Sequence, residues 1–269
     1  MLSRLVIFFS IIFLPTSSFA ECNFNTSKFI SELSNPKNIK YIEIEIPKSQ
    51  RYVRNFLQTL SSSFENKIIL SKYKQRFFAK INVDYEFGRC EYEGKVRQSG
   101  DWPDHIKVEN GNPVRSLDVR LNKGNILNAV KFKLLIPETR NNLNEILGSV
   151  ILKELGFIAP ETFQVFTKVN NISNLMIFQE KSEKELLERN NRREGPIFEG
   201  DEDLLWGYKN FSIFELENVS LSKLLNENWF KKGINNQIIT LRASKKLQLA
   251  YLDYIKNHMT SKTVLFPNS

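Results

Sequence analysis

LNEILGSVILKEL, residues Leu143–Leu155, carries the strongest periodic signal in the chain and decides how its neighbours are read. Leu143, Ile146, Leu147, Val150, Ile151 and Leu155 recur at i, i+3, i+4, i+7, i+8 and i+12, one face of an α-helix. Asn142 is in position to cap that helix, with Glu145 at the third helical position reaching back. Gly156 stops it and Pro160 follows.

On the N-terminal side the period is mostly two. Tyr41–Ile46 alternates as a half-buried strand ended by Pro47, and strands are expected at 77–87, 92–98, 117–121 and 129–136, punctuated by Gly88, Gly94 and the turn Lys123-Gly124-Asn125. Two helices interrupt this pattern. A short one is expected at 27–34, capped by Thr26 or Ser27, and a longer one at 49–64 with Val53, Phe56, Leu57 and Leu60 on one face. On the C-terminal side, 162–169 and 174–178 form a hairpin around Asn170-Asn171, since Asn tolerates left-handed turn conformations. Ser182 and Glu185 mark a capping box before a short helix to about Glu188, and 220–228 and 236–258 look helical. Strands, one strong helix, a hairpin and then helices mean α+β.

The first twenty residues stand apart. Arg4 precedes an apolar run from Leu5 to Leu14, and Ser18-Phe19-Ala20 is a small-x-small cleavage signal, so residues 1–20 read as a signal peptide. No later segment is apolar enough to cross a bilayer. The whole chain is +8 (38 basic against 30 acidic residues); the leader holds Arg4 and no acid, leaving about +7. That balance favours anionic partners, and an exported protein would rarely meet nucleic acid. The basic residues look scattered along the sequence. Cys22 and Cys90 are the only cysteines, and in an oxidising compartment they read as a disulfide, against two buried thiols. At 41% apolar with 21 Phe, a sizeable core is expected.

LLERNNRREGPIFEGDEDLLW, residues 186–206, sets paired asparagines and paired arginines beside a Gly-Pro turn. Adjacent guanidiniums suit a fixed contact with phosphate or carboxylate; they equally suit the C-terminal end of a preceding helix. Asp101, Asp104 and His105 cluster around Trp102-Pro103, which reads as a turn tied by Asp hydrogen bonds rather than a metal site, because more ligands would be needed.

Several of these segments together resemble the spore-coat protein H (CotH) kinase-like family, in a branch found in bacterial envelope proteins. The resemblance runs over roughly residues 90–206. It rests on Val96-Arg97-Gln98-Ser99-Gly100-Asp101-Trp102-Pro103-Asp104-His105, Ser116 to Leu121, Pro137-Glu138-Thr139-Arg140-Asn141, Lys153-Glu154-Leu155-Gly156, Glu180, and Asn190-Asn191-Arg192-Arg193-Glu194-Gly195-Pro196-Ile197. It implies an atypical protein-kinase-like N-terminal lobe, an antiparallel sheet plus one long helix, with a partial helical C-terminal portion. The implied layout is a signal peptide at 1–20, an N-terminal α/β region at 21–89, a core at 90–209 and a partial helical region at 210–269. It also implies ATP with Mg or Mn as cofactor and protein hydroxyls as acceptors.

By the same resemblance, Arg120 stands where the family tends to carry a phosphate-contacting Lys. Glu145 is the helix Glu that would pair with it, unless it serves only as a capping residue. Glu180 holds one of two expected acid positions, with Gln179 in the other and Lys181-Ser182 where a His-aromatic pair is typical. Arg97, Asp101, His105, Asn190, Asn191, Arg192, Arg193 and Glu194 form an anion-binding or structural motif. The family's later His-Asn and Phe-Asp segments do not appear before Ser269; His258 is followed by Met259, and Asp253 lies in a helical pattern. Phosphoryl transfer needs a base and metal ligands as well as positioning, so no catalytic and no metal-binding residue is expected. Two functions remain: a truncated or degenerate kinase-like protein that grips ATP, or a non-catalytic envelope protein that binds an anionic glycan or a protein partner through a basic surface.

Overall fold

The computed structural model describes residues 21–200 and 222–260. The expected leader, Trp206 and the terminal residues 261–269 lie outside them. β1 (Glu21–Cys22) and α1 (Ile30–Leu33) lead into β2 (Ile39–Glu45), α2 (Ser49–Asn66), β3 (Phe77–Tyr85) and β4 (Gly88–Gln98). Two short strands follow, β5 (Ile106–Glu109) and β6 (Asn112–Arg115), then β7 (Leu117–Leu121), β8 (Lys131–Leu135) and α3 (Asn144–Glu154). The hairpin β9 (Thr162–Val169) and β10 (Ile172–Glu180), α4 (Lys184–Arg189), β11 (Phe198–Gly200), β12 (Ser222–Leu224), α5 (Glu227–Phe230) and α6 (Ile234–Ile255) complete it.

Seven strands close into a mixed barrel in the order β4-β3-β2-β9-β10-β8-β7, with β7 returning to pair with β4. The β2–β9 joint is parallel, Tyr41 opposite Phe166 through Ile44 opposite Val169, and the other joints are antiparallel. β4 makes closure possible because it is 11 residues long. Its first half faces β1 and its second half faces β7. Gly94 sits where the partner changes; a Cβ there would lie 2.6 Å from the Arg120 carbonyl oxygen and 2.8 Å from Ile81 Cδ1. Only a bare backbone lets the two strands meet at that distance.

The expected kinase-like lobe, an antiparallel sheet plus one long helix, is therefore wrong for this chain. The sheet closes on itself, one joint is parallel, and no helix organises it. Inward-facing residues fill the barrel, among them Ile42, Ile44, Ile81, Leu117, Val119, Phe132, Leu134 and Phe178. Phe132 and Phe163 both stack on Phe178, with centroids 4.6 and 4.9 Å away. At this strand number side chains pack the lumen and leave no channel.

α3 forms where the periodicity predicts, but its apolar stripe is not a core face. Leu143, Leu147, Val150, Ile151 and Leu155 are 48–57% exposed, and Ser149 is the buried residue, its hydroxyl 2.9 Å from that of Thr162. The expected capping box is absent: Leu143 holds the cap position without a side-chain bond, and Asn142 adopts φ 61°. Glu183, not Ser182, precedes α4, also without a side-chain cap. α2 is rotated from its expected face, burying Tyr52, Asn55, Phe56 and Thr59 while Val53 and Leu57 stay exposed. Buried Arg115 sets that rotation. Its guanidinium lies 3.9 Å over Tyr52 and donates to Asn55 Oδ1 and the Tyr52 carbonyl. The Asn170-Asn171 turn has φ 46° and 72°, the two-residue hairpin geometry that Asn accommodates. Residues 222–224, expected helical, are a strand instead.

Cys22 and Cys90 are disulfide-bonded across the β1–β4 pair. No helix of the described residues is long and apolar enough to cross a membrane.

Candidate functional site: a cationic barrel wall

Alternation along β7 and β8 sends Leu117, Val119, Leu121, Phe132 and Leu134 into the barrel. It must send Asp118, Arg120, Lys131 and Lys133 out. Strand register then assembles the outward residues into two rows. In one, Arg97 on β4 faces Asp118 on β7, Asp118 faces Lys133 on β8, and Lys133 faces Gln179 on β10. In the other, Lys95 faces Arg120 and Arg120 faces Lys131, with the Lys181 N–H donating to the Lys131 carbonyl at 3.1 Å. The rows lie two residues apart along each strand, about 7 Å. Charges that look scattered in sequence are thus gathered on one wall.

Asp118 is the hub of the first row. It is 4% exposed and accepts from Arg97 Nη2 and Lys181 Nζ, both at 3.1 Å, with Arg76 Nη1 at 4.0 Å. Burial pushes its pKa up, but the Lys181 and Arg97 charges outweigh that and hold it below the usual value. Lys133 is different. Its side chain is half-buried and makes no ion pair or hydrogen bond with a described residue. Burial pushes its pKa down, the Lys181 and Arg140 charges push it further, and the Asp118 and Glu199 carboxylates oppose them only in part. One carboxylate is shared among Arg76, Arg97, Lys181 and the neighbouring Lys133. An oxyanion entering this row would meet planar guanidinium forks and an ammonium that forms no ion pair among the described residues.

The expected site residues divide around this wall. Arg97 and Arg120 belong to it. Glu145 lies beside it, 2.9 Å from Arg140 Nε and accepting from Gln179 Nε2 at 2.8 Å; it pairs with Arg140, not Arg120. Glu180 is buried elsewhere, accepting from the Glu161 N–H at 3.0 Å and from Arg189 Nη2 at 2.5 Å. Burial raises its pKa, opposed by that N–H and by Arg189, and its Oε1 has no partner among the described residues. Arg120, Glu145 and Glu180 do not form one cluster.

The Gly-Asp-Trp-Pro-Asp-His segment is a structural tie. His105 is 2% exposed with Nδ1 2.9 Å from Ser116 Oγ, which also accepts from the Ile136 N–H at 3.0 Å. The Ser116 hydroxyl thus ties the His105 ring to the start of the segment after β8. Burial, reinforced by Arg140 and Lys133, brings the His105 pKa down to about 4. Asp101 pairs with Lys74, and its carbonyl accepts from Ile69.

The paired asparagines close α4. Asn190 Nδ2 donates to the Leu186 carbonyl, Asn191 adopts φ 54°, and the Arg192 N–H donates to the Leu187 carbonyl. Arg192 and Arg193 follow that helix end with exposed side chains, while Glu194 pairs with Lys232. Asn226 anchors the Gly-Pro turn, donating to the Gly195 carbonyl and accepting from the Ile197 N–H.

Sequence reasoning missed Lys133, Lys181, Asp118 and Arg76. The signal was present in LDVRL and KFKLL, whose polar positions all carry charge and all fall on one face. Among the described residues no group of three His, Cys, Asp or Glu is arranged to hold a metal ion. No protein-family model matches the chain, and no curated protein matches it.

Proposed function

We propose that the chain is an exported, non-catalytic envelope protein that binds an anionic glycan on the outer wall of its barrel. The observation that carries this reading is Lys133, a half-buried ammonium that forms no ion pair among the described residues and lies beside the Lys181 and Arg140 charges, in the same row as Arg97. Like charges held together in a partly dry site repel, and a bound oxyanion offsets that repulsion. A row of cations across neighbouring strands suits a repeating polyanion better than a single small ion. The N-terminal leader sequence and the Cys22–Cys90 disulfide support export to an oxidising compartment. Nucleotide binding through Arg120 and Glu145 has less support, since Glu145 is engaged by Arg140 and Gln179.

The test is calorimetry on the leader-free chain with polygalacturonate, neutral dextran and ATP–Mg as separate titrants. Polygalacturonate should bind, dextran should not, and Lys133→Met should weaken binding about tenfold, the scale of one charge-assisted contact. Raising salt should weaken it further. Tighter binding of ATP–Mg than of polygalacturonate, or no effect of Lys133→Met, overturns the reading.

A further inference from the structure

Where the second row meets α4 and α5, the wall opens into a cleft of about 280 Å³ lined by Arg120, Lys131, Glu185, Asn228 and Trp229 among others. That is the size of the smallest ligand clefts, which start at about 300 Å³. Its charges are mostly neutralised internally. Lys131 Nζ lies 2.6 Å from Glu183 Oε1, Lys232 pairs with Glu194, and Lys184 pairs with Glu185 and Glu188. Arg120 is exposed and has no ion pair among the described residues.

We propose that this cleft is a subsite for one carboxylated sugar, a uronate unit of the glycan that the wall binds; it rests on that reading and adds the identity of the acid. Three features select a uronate. A single unpaired guanidinium suits a monoanion, and its fork matches a carboxylate. The carboxylates of Glu183, Glu185 and Glu194 sit in ion pairs, which leaves Arg120 as the cation to be balanced, enough for a monoanion but not a phosphate dianion, and their oxygens accept hydrogen bonds from sugar hydroxyls. Trp229 contributes the aromatic surface that the first row lacks, the kind of surface on which an apolar ring face rests, and the Lys232 ammonium lies 6.0 Å from its centroid. The first row, crowded with cations around Asp118, lies about 7 Å along the same strands, so one chain could engage both with successive units.

The experiment compares binding of oligogalacturonate and of inorganic polyphosphate to the leader-free protein and to Arg120→Glu, Trp229→Ala and Lys133→Met. Arg120→Glu changes an exposed, unpartnered side chain and so tests the cleft without burdening the fold. Arg120→Glu and Trp229→Ala should each weaken oligogalacturonate about tenfold. Trp229→Ala should leave polyphosphate affinity unchanged, whereas Lys133→Met should weaken both ligands. If Lys133→Met weakens oligogalacturonate while Arg120→Glu and Trp229→Ala bind it like the parent, the uronate subsite is wrong and the glycan-binding reading survives. If the parent protein binds neither ligand, both fall together.

Discussion

Acidification from about pH 7.5 to about pH 4.5 should draw a separable loss of barrel stability from His105. In the fold its pKa is brought down to about 4 from the ordinary 6.5, by burial first and then by the Arg140 and Lys133 charges; Lys74 acts in the same direction and Asp101 against it. The unfolded chain binds a proton below about pH 6.5 that the native state refuses until about pH 4, so stability falls as pH falls through that window. The full difference of about 2.5 units corresponds to about 3 kcal/mol. Little discount for solvent screening applies at 2% exposure. Urea unfolding at several pH values, for the parent and for His105→Gln, isolates the effect, because carboxylates such as Asp118 contribute to both curves and cancel in the difference. The parent should lose about 2–3 kcal/mol relative to the variant between the two ends of the range. Parallel curves would refute the argument and imply that His105 is solvated or already charged in the native protein.

Gly100→Ala should cost about 2–4 kcal/mol, since φ is +81° and a Cβ would lie 2.0 Å from His105 Cδ2; a melting temperature within about 2 °C of the parent would contradict this. Replacing both cysteines by Ser should cost about 4 kcal/mol on the chain-entropy account, because the bridge spans a sequence separation of 68. Denaturant titration of the double variant measures it, and an unchanged midpoint counts against the account. Arg115→Lys should cost about 2–3 kcal/mol by losing the fork that donates to both Asn55 Oδ1 and the Tyr52 carbonyl. Chemical unfolding checks this, and parent-like stability would mean that the ammonium recovers both contacts.

Local periodicity located most barrel strands, α2, α3 and the β9–β10 hairpin, because alternation and i, i+4 spacing are properties of the segment itself. It did not say what each face would meet. Val53 and Leu57 carry the apolar stripe expected of α2, yet the helix buries Asn55 and Thr59, because Arg115 arrives from a strand sixty residues away and needs polar partners. β5 and β6 went unseen because four-residue strands give no period to measure. The closed sheet was illegible for a stronger reason: whether β7 returns to β4 depends on register between distant strands, which no window of residues contains. The wall followed the same logic. Arg97, Asp118, Lys133 and Lys181 are unremarkable one at a time and become a cluster only through that register.

The parallel joint between β2 and β9 has a consequence for how the chain is made. During synthesis, β2, β3 and β4 emerge long before β9 and β10, so the early sheet must wait with raw backbone edges on both flanks. Nothing local can complete it, and the last staves have to be captured across more than a hundred intervening residues. A nascent chain of this kind is vulnerable to strand exchange with its neighbours until residue 180 has cleared the exit tunnel.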